Sequence, residues 1–498
     1  MNTGNYDSIH SRYNPQREAE RYIASLGLNE NIRFFILIEP GLGYIIGPLR
    51  KRSPHSKIIA LHAGHFAAAK DPEMQGENSP DSQWHPGLGI PVQDFLEQEI
   101  PDTQADKIKI LEWRPALAVY GGAYLSLVEE SAAFIKRSDA NYRTLKAFGQ
   151  NWFGNFLKNL RIIRYVIRPH LLSMPLVITG AGPSLEGQIP LLQEASSRGE
   201  IFILAVSSSV AALAAASVVP NMIISTDGGG WARFHLYECI RAGAAPKVME
   251  VQGTGKSRKP LWELAAAMTA ALPSQCAALS ILPIGDGSVW QTLVLKALGI
   301  PFITLPQRGT VAAAALDLAF SLTDAEVYIT GIDLASKDIS MHARPYSLDH
   351  EAEKKGMRLD PIYSQMFKRS AMVNTGGSFG IYASWFERQL SSYPKRLFSL
   401  GKNNPLFDTL GPSLAMGSHK GNSAANFSCL ELEAENNSPG KALLVLEAGL
   451  KDPLLTEKLS IELSTLLFPG KGKIPANELM DALKSTGQKW GGSSFGNG

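Results

Sequence analysis

Residues 201–226 contain no charged side chain, and this run limits what the chain can fold into. By hydropathy alone, such a run is long enough to cross a bilayer. However, it holds three consecutive serines at 207–209 and a Pro-Asn pair at 220–221, which break it into separate elements. The pattern therefore predicts a buried strand (Ile201–Val206), a serine-rich loop, an alanine-rich helix and a second strand (Met222–Ser225). These elements together form a βαβ unit of a parallel sheet.

Composition and charge exclude several classes of function. The 498 residues are 45% hydrophobic and 19% charged, as in a folded globular protein. The net charge of +2 is far below the basic excess of a nucleic-acid-binding protein, so we expect no nucleic-acid partner. The three cysteines lie far apart without a CxxC pair, which favours neither a disulfide framework nor a thiolate zinc site. The polar N-terminus lacks the pattern of a signal peptide, and we expect a cytoplasmic protein without a transmembrane segment.

The N-terminal part opens like a Rossmann fold. Residues 31–49 predict a buried strand, a glycine turn and a helix start, and Lys57–His62 predict the next strand. The glycines are spaced as GxGxxxG rather than GxGxxG, and the second strand ends at His62 where an acidic ribose ligand is expected. We therefore predict a Rossmann-like domain over residues 1–145 with a structural turn, and we interpret His62 as an ordinary packing or solvent-exposed residue rather than a metal ligand.

The rest of the chain divides into three parts. Asn151–His170 predicts a helix with one apolar and one basic face, and we interpret the basic face, which includes Lys158, as solvated rather than membrane-bound. Residues 146–172 are thus a linker helix, and 173–395 are a central parallel-sheet α/β domain. Residues 396–498 are predicted to form a mostly helical or irregular C-terminal region with a flexible tail.

The sharpest local signal is PLVITGAGPSLEGQIPLL, residues 175–192. A buried strand leads into a turn in which Gly180 and Gly182 let the backbone approach an anion. Pro183 suits the first position of a helix, and Ser184 places a hydroxyl beside the free N–H groups of its positive end. The turn suits a nucleotide phosphate, and an unliganded turn capped by Ser184 is an equal alternative.

Three further loops follow strands of the same predicted sheet. They contain Ser207 and Ser208, then Asp227 before three glycines, and then Gly285 and Asp286. Because the carboxyl ends of parallel strands form the ligand crevice of open α/β sheets, we expect these residues to bind substrate. Asp227 could hold a ribose hydroxyl or a metal, or it could accept backbone hydrogen bonds in a tight turn. One carboxylate does not establish a metal site.

Acid–base groups concentrate in residues 307–346. A helix cap at Gly309 and Thr310, an alanine-rich helix and a strand (Glu326–Thr330) precede a polar loop that carries Asp333, Lys337, His342, Arg344 and Tyr346. A histidine can exchange protons near neutral pH, and the planar fork of an arginine can hold a phosphate. A mobile polar loop with an exposed histidine is the alternative.

The order of these motifs resembles a known family. ITGAGPSL, AVSSSVAAL, PNMIISTD, RGTVAAAALDLAFSL and VYITGIDLAS with MHA resemble the central domain of the motility-accessory-factor flagellin glycosyltransferases. HSRYNPQREAERYI and LIEPGLGYIIGPL resemble that family's N-terminal domain. The family's core is similar to bacterial sialyltransferases, which use a CMP-activated nonulosonic acid and work without a metal. The resemblance implies a sialyltransferase-like core in which Gly180, Gly182 and Ser184 contact the nucleotide.

The chain also departs from the sialyltransferases. Ala181 stands where their turn carries Asn, and Ala335 and Met341 stand approximately where two phosphate-binding tyrosines are found. Their catalytic His has no counterpart in Lys368–Phe379, whereas His342 fits the motility-accessory-factor pattern.

Three functions follow as expectations. The first is a protein O-glycosyltransferase, without a metal or cofactor, that moves a nonulosonic sugar from a CMP donor to Ser or Thr of flagellin. His342 and Asp333 are its candidate catalytic groups. The second follows from a resemblance to archaeal hydroxymethyl-dihydropterin diphosphokinases, which share the GPSL turn and use ATP with Mg²⁺; Asp227 could hold that metal. The third is a non-catalytic flagellin-binding protein that keeps the fold.

Overall fold

The chain folds into two compact units, Met1–Gly149 and Gln150–Gly498. The computed structural model describes residues 9–64, 78–241, 263–374, 378–390, 393–400, 427–433, 437–469 and 471–491. The predicted flexible tail lies almost wholly outside the described residues.

The first unit has the predicted Rossmann-like fold. Its four strands are parallel and lie in the order β3-β2-β1-β4. They are β1 (Phe34–Ile38), β2 (Lys57–Leu61), β3 (Ser82–Trp84) and β4 (Ile108–Glu112), with helices α1 (Pro15–Ser25), α2 (Ile46–Arg52) and α3 (Val92–Glu99). The strands β1 and β2 are almost continuously apolar because a parallel strand covered by helices is buried on both faces.

The glycine turn after β1 is filled by the unit's own side chains. The backbone N–H of Leu42 donates to Nε2 of His10 at 3.0 Å. A Cβ at Gly41, whose φ is +60°, would lie 2.3 Å from that same nitrogen. His62 is fully buried, with Nδ1 3.3 Å from Oε1 of Glu39. The turn and His62 therefore have the packing roles that the sequence predicts.

The predicted linker helix ends earlier than its pattern indicates. Helix α4 (Leu117–Ile162) stops before Tyr165–Arg168, which form strand β5. The prediction of a helix to His170 was therefore wrong. β5 pairs in parallel with a strand at residues 280–285 and antiparallel with one at 428–431, so pairing in the sheet overrides the local helical pattern.

The second unit is built on a ten-stranded sheet whose main path runs β13-β12-β6-β7-β8-β9-β10-β5-β14, while β11 pairs with β10. Its paired strands are parallel except at β14. Besides β5, the strands are β6 (Leu176–Thr179), β7 (Phe202–Val206), β8 (Met222–Ser225), β9 (Glu263–Ala267), β10 (Ser280–Gly285), β11 (Ile303–Thr304), β12 (Val327–Thr330), β13 (Leu397–Ser399) and β14 (Ser428–Glu431). Strands β7 and β8, with a short helix between them, confirm the βαβ unit predicted for the uncharged run.

Helices cover this sheet and form most of the described part of the C-terminal region, as predicted. They are α5 (Ile189–Ser197), α6 (Val210–Ala215), α7 (Ala232–Arg241), α8 (Val289–Ala297), α9 (Val311–Leu322), α10 (Asp349–Lys355), α11 (Ile362–Asn374), α12 (Ser378–Gln389), α13 (Pro439–Lys451), α14 (Thr456–Leu467) and α15 (Ala476–Gly491). Thr310 caps α9, since its Oγ1 accepts from the N–H groups of Ala312 and Ala313. Among the helices of the described segments, none is both long and apolar enough to span a membrane.

Candidate functional site

The order of strands places a ligand crevice between β6 and β12. From β6 the chain adds β7, β8, β9 and β10 on one side, and then returns to place β12 and β13 on the other. In open α/β sheets, ligands bind outside the carboxyl ends of the strands at such a switch point. The loop after β6 begins at Gly180 and the loop after β12 at Gly331. The two segments that carry the strongest sequence signals are therefore neighbours in the fold.

These two loops approach each other so closely that only glycine fits. The N–H of Gly182 donates to the carbonyl of Gly331 at 2.6 Å, and that of Gly180 to the carbonyl of Thr330 at 2.8 Å. A Cβ at Gly180 would lie 2.2 Å from the carbonyl oxygen of Gly331, and the reverse distance is also 2.2 Å. The glycines allow contact between two backbones, whereas the sequence suggested contact with an anion.

Asp333 is held against the turn by Ser184. The carboxylate Oδ2 accepts the backbone N–H of Ser184 at 2.6 Å, and Oδ1 accepts its hydroxyl. The same hydroxyl accepts the N–H of Gly331 at 3.2 Å. Pro183 opens a short 3₁₀-helix (Pro183–Gln188) here. The N–H of Ser184, which we expected to bind a phosphate, thus binds the carboxylate of Asp333. This contact connects the loop after β6 with the loop after β12.

Two hydrogen bonds donated by backbone N–H groups bring His342 to this turn. The N–H of Ala343 donates to the carbonyl of Ala181 at 2.7 Å, and the N–H of Arg344 donates to Oε1 of Glu186 at 2.9 Å. The end of the loop after β12 is therefore fixed over the start of the helix after β6, and His342 and the glycine turn lie on the same side of the molecule.

His342 belongs to a cluster of three rings. Its imidazole stacks on Tyr346 with ring centroids 3.9 Å apart and an angle of 4°. His235 of α7 lies 5.4 Å from the same phenol ring, and its Nδ1 is hydrogen-bonded to the hydroxyl of Ser347. The sequence analysis missed His235. The available signal was its place in the helix that follows the Asp227 loop, at the same edge of the sheet.

Burial keeps both imidazoles of the cluster neutral. It lowers the pKa of His342 to about 4, and the charges of His235 and Arg369 act in the same direction. Burial also lowers the pKa of His235 to about 4, against the opposite effect of the Asp227 charge. The pKa of Tyr346 is raised to about 12 by its burial. At neutral pH both histidines can accept a proton, and a bound anion would raise their affinity for it.

Asp227 forms the local turn that was one of its two predicted roles. Its Oδ1 accepts the N–H of Gly229 at 2.7 Å. The side chain is exposed and its charge acts on His235. One carboxylate oxygen therefore orders the loop while the group remains open to a ligand.

Helix α4 holds the loops that follow β8 and β9. The amide of Asn155 donates to the carbonyls of Gly228 and Thr269 at 3.1 and 3.0 Å, and the amide of Asn159 donates to two carbonyls after β9 at 2.9 and 2.8 Å. A Cβ at Gly228 would lie 2.4 Å from the indole of Trp152. Sequence reasoning missed these residues, although two asparagines four apart on a predicted helix were a usable signal.

The serines after β7 divide between packing and possible ligand contact. Ser207 is buried, and Ser208 is half-buried. Ser209, the third serine of this loop, donates to the carbonyls of Thr179 and Val206 at 3.0 and 2.8 Å. It ties the ends of β6 and β7 together.

Comparisons with known proteins bear on this region. Residues 150–338 match the family model for 6-hydroxymethylpterin diphosphokinase MptE-like proteins. This segment is therefore similar to the MptE-like proteins. The match confirms the predicted relation of the central region to the diphosphokinase-like proteins.

The chain is also 26% identical over 293 residues to an uncharacterized protein of Treponema pallidum (strain Nichols). The match covers 59% of each sequence, so the chain spans about three fifths of the length of that curated relative. Among solved structures, it is similar to the MAf glycosyltransferase from Magnetospirillum magneticum AMB-1, with a TM-score of 0.49 and 13% identity. That alignment covers 95% of this chain and 83% of the other.

Gly285 and Asp286 lie at the carboxyl end of β10, away from the switch point between β6 and β12. Four strand spacings separate β10 from β6, roughly 19 Å. Asp286 accepts the N–H of Ser288 and the side-chain amide of Gln307, both at 2.9 Å. These contacts order the loop, and the structure does not bring Asp286 to His342.

A carboxylate also caps the N-terminus of helix α8. Glu462 of α14 accepts the N–H groups of Val289 and Trp290, each at 3.0 Å, at the start of α8. Burial raises its pKa to about 7, although the two N–H groups oppose that shift. No local pattern predicts this contact, because Glu462 is distant from α8 along the chain.

The two predicted cations of the loop after β12 are exposed. Lys337 forms a tight backbone pair with Ser340, with both N–H···O distances 2.9 Å. The guanidinium of Arg344 contacts Sδ of Met366 at 3.0 Å. Both side chains can reach a ligand at the mouth of the site.

For a metal, the exposed carboxylate of Asp227 lies near enough to the ring cluster for its charge to act on His235. Within the described parts of the chain, no three His, Cys, Asp or Glu side chains are grouped so that they could hold an ion. A magnesium ion that keeps its waters and binds substrate phosphates needs only one or two carboxylates, and Asp227 would be the group to hold it.

Proposed function

We propose that this protein is a cytoplasmic glycosyltransferase that moves a nonulosonic sugar from a CMP donor to Ser or Thr hydroxyls of flagellin. The observation that carries the proposal is the position of His342. It lies neutral at the β6–β12 switch point, and the contact from Ala343 to Ala181 fixes it beside the glycine turn. The resemblance of the motif order to the motility-accessory-factor family supplies the classes of donor and acceptor.

In the proposed reaction His342 acts as general base. Its free imidazole nitrogen takes the proton of the acceptor hydroxyl while the hydroxyl oxygen forms a bond to the anomeric carbon of the sugar. The bond between that carbon and the phosphate oxygen breaks, and CMP leaves with the electron pair. Arg344 and Lys337, both exposed on the same loop, would stabilise the negative charge on the phosphate.

An anionic donor suits the electrostatics around His342. A histidine with a pKa of about 4 is a weak base on its own. The positive charge of Arg369 contributes to that low value, so a phosphate or a sugar carboxylate bound nearby would offset it. Binding of the donor would thus raise the basicity of His342 when the reaction needs it.

Asp333 takes a different role from the catalytic one that the sequence suggested. Both its oxygens accept hydrogen bonds from Ser184. In the proposal it positions the two loops and His342, and it does not exchange protons with the substrate.

The intact mass of flagellin tests this proposal. In cells that carry His342→Ala, flagellin should lose the mass of its nonulosonic sugars, while His55→Ala, a change at an exposed histidine of the first unit, should leave that mass unchanged. The purified protein should be stabilised against heat by CMP. Unchanged flagellin mass in the His342 variant would remove this residue from the mechanism.

A second candidate is transfer of diphosphate from ATP to a hydroxymethylpterin. The family match over residues 150–338 favours this candidate. Asp227 also offers an exposed carboxylate at the carboxyl ends of the parallel strands, where a ligand would bind. If ATP with magnesium raises the melting temperature of the protein and CMP does not, the diphosphokinase proposal would be favoured over the glycosyltransferase proposal. Binding of flagellin without any nucleotide effect would instead indicate a non-catalytic partner protein.

A further inference from the structure

The charges of two basic side chains act on each other on the far side of α7 from the ring cluster. Residues two apart on a helix point about 200° apart, so Arg233 and His235 leave α7 on nearly opposite sides. His235 faces the loop after β12, where it meets Ser347 and Tyr346. Arg233 lies close enough to Lys158 of α4 for its charge to act on that lysine.

Neither cation has a partner among the described residues. The Nε of Arg233 is buried and has no hydrogen-bond acceptor. Lys158 is half-buried, and burial and then the charge of Arg233 lower its pKa. Holding two like charges together away from water costs free energy, and a protein recovers that cost when an anion binds between them.

The loops beside Lys158 and Arg233 are held in place by hydrogen bonds from α4. Asn155 and Asn159, which flank Lys158 on α4, bind the carbonyls of the loops after β8 and β9. The pair therefore lies beside a loop that α4 holds in position.

We propose that Lys158 and Arg233 form a binding site for a phosphate group, on the β9 side of the loop that follows β8. Two cations match the charge of a terminal phosphate or a diphosphate, about −2, better than that of a single carboxylate. The planar fork of arginine and the point charge of lysine are both common phosphate ligands. The site does not depend on the proposed glycosyl transfer, because it lies on the other side of α7 from His342.

Calorimetric titration with inorganic pyrophosphate, at constant ionic strength in chloride, tests the site. Lys158→Gln and Arg233→Gln should each weaken binding about tenfold or more, since each removes a charge-assisted hydrogen bond. Lys395→Gln, which changes an exposed lysine elsewhere, should bind as the wild type does. His342→Ala should also keep full pyrophosphate affinity, so loss of the glycosyltransferase proposal would leave this one standing.

A second measurement separates a ligand site from a structural pair. Because Lys158 and Arg233 repel each other, Lys158→Gln without ligand should melt at the same temperature as the wild type or higher, and pyrophosphate should stabilise it less. Unchanged pyrophosphate affinity in both variants, or no pyrophosphate binding by the wild type, would overturn the proposal.

Discussion

The imidazole of His342 lies flat on the phenol ring of Tyr346, with 3.9 Å between centroids and 4° between planes. The stack covers one face of the histidine, and burial of the imidazole is the main cause of its pKa of about 4.

Replacing Tyr346 by Ala should therefore raise the pKa of His342 toward its ordinary value near 6.5. The opened face would admit water, which stabilises the imidazolium. Tyr346→Phe keeps the stacked ring and should leave the pKa near about 4. Histidine titration by NMR on the two variants measures the difference; equal values for both would show that the stack does not control the pKa.

The buried histidines should make the fold less stable in mild acid. Their pKa values are depressed to about 4 in the folded protein, so between pH 6.5 and pH 4 the unfolded chain binds more protons. The free energy of unfolding should fall over this window by about 3 kcal/mol at most for each imidazole. His342→Gln should flatten part of the decline, as measured by urea unfolding at several pH values. A decline as steep as that of the wild type would contradict the assigned burial.

Glu462 should have the opposite pH dependence. Its pKa is raised to about 7, so from pH 7 down to pH 4.5 the folded protein binds more protons than the unfolded one, and this group stabilises the fold as pH falls. Glu462→Gln should therefore be more favourable, relative to the wild type, at pH 8 than at pH 5. Urea unfolding of both proteins at the two pH values gives the comparison, and a difference that does not change with pH would refute it.

The contact between Gly180 and Gly331 predicts a steric penalty. Gly180→Ala would place a Cβ 2.2 Å from a backbone oxygen and should cost about 1–3 kcal/mol or more of stability. Gly187→Ala is the matched control, because a Cβ there meets nothing within 4 Å and should be neutral or slightly stabilising. Thermal melting of the two variants distinguishes them. Equal melting temperatures would mean that the loops separate easily.

The pair of Asp333 and Ser184 predicts energetic coupling. In a double-mutant cycle with Asp333→Ala and Ser184→Ala, the interaction should be worth about 1–3 kcal/mol, because a charged acceptor takes two hydrogen bonds. Asp338→Asn, on the exposed part of the same loop, should change stability by less than about 0.5 kcal/mol. If the two single changes in the free energy of unfolding simply add in the double variant, Asp333 and Ser184 do not stabilise each other.

The sequence predicted the elements whose signal is local. The uncharged run around Ser207–Ser209 divided into strands at the expected places, and Thr310 capped its helix. The strand at Tyr165–Arg168 was missed because its partners, β10 and β14, are more than a hundred residues away along the chain.

The candidate site was predictable in its loops and not in its contacts. Glycine turns after apolar strands identified the carboxyl edge of the sheet correctly. Two contacts of the site depend on how α7 and the loop after β12 pack, and no local sequence pattern encodes that packing. They are the contact of His235 with Tyr346 and the hydrogen bonds of Ser184 to Asp333.

The asparagines of α4 limit how this helix can vary. Asn155 and Asn159 are separated by four residues, about 40° around the helix axis, so both amides reach the same edge of the sheet. Inserting one residue between them would widen that angle to about 140° and lengthen the step by about 1.5 Å. Only one of the two asparagines could then keep its hydrogen bonds to the loops. Insertions or deletions between residues 155 and 159 should therefore destabilise the fold far more than substitutions on the solvent-facing side of α4.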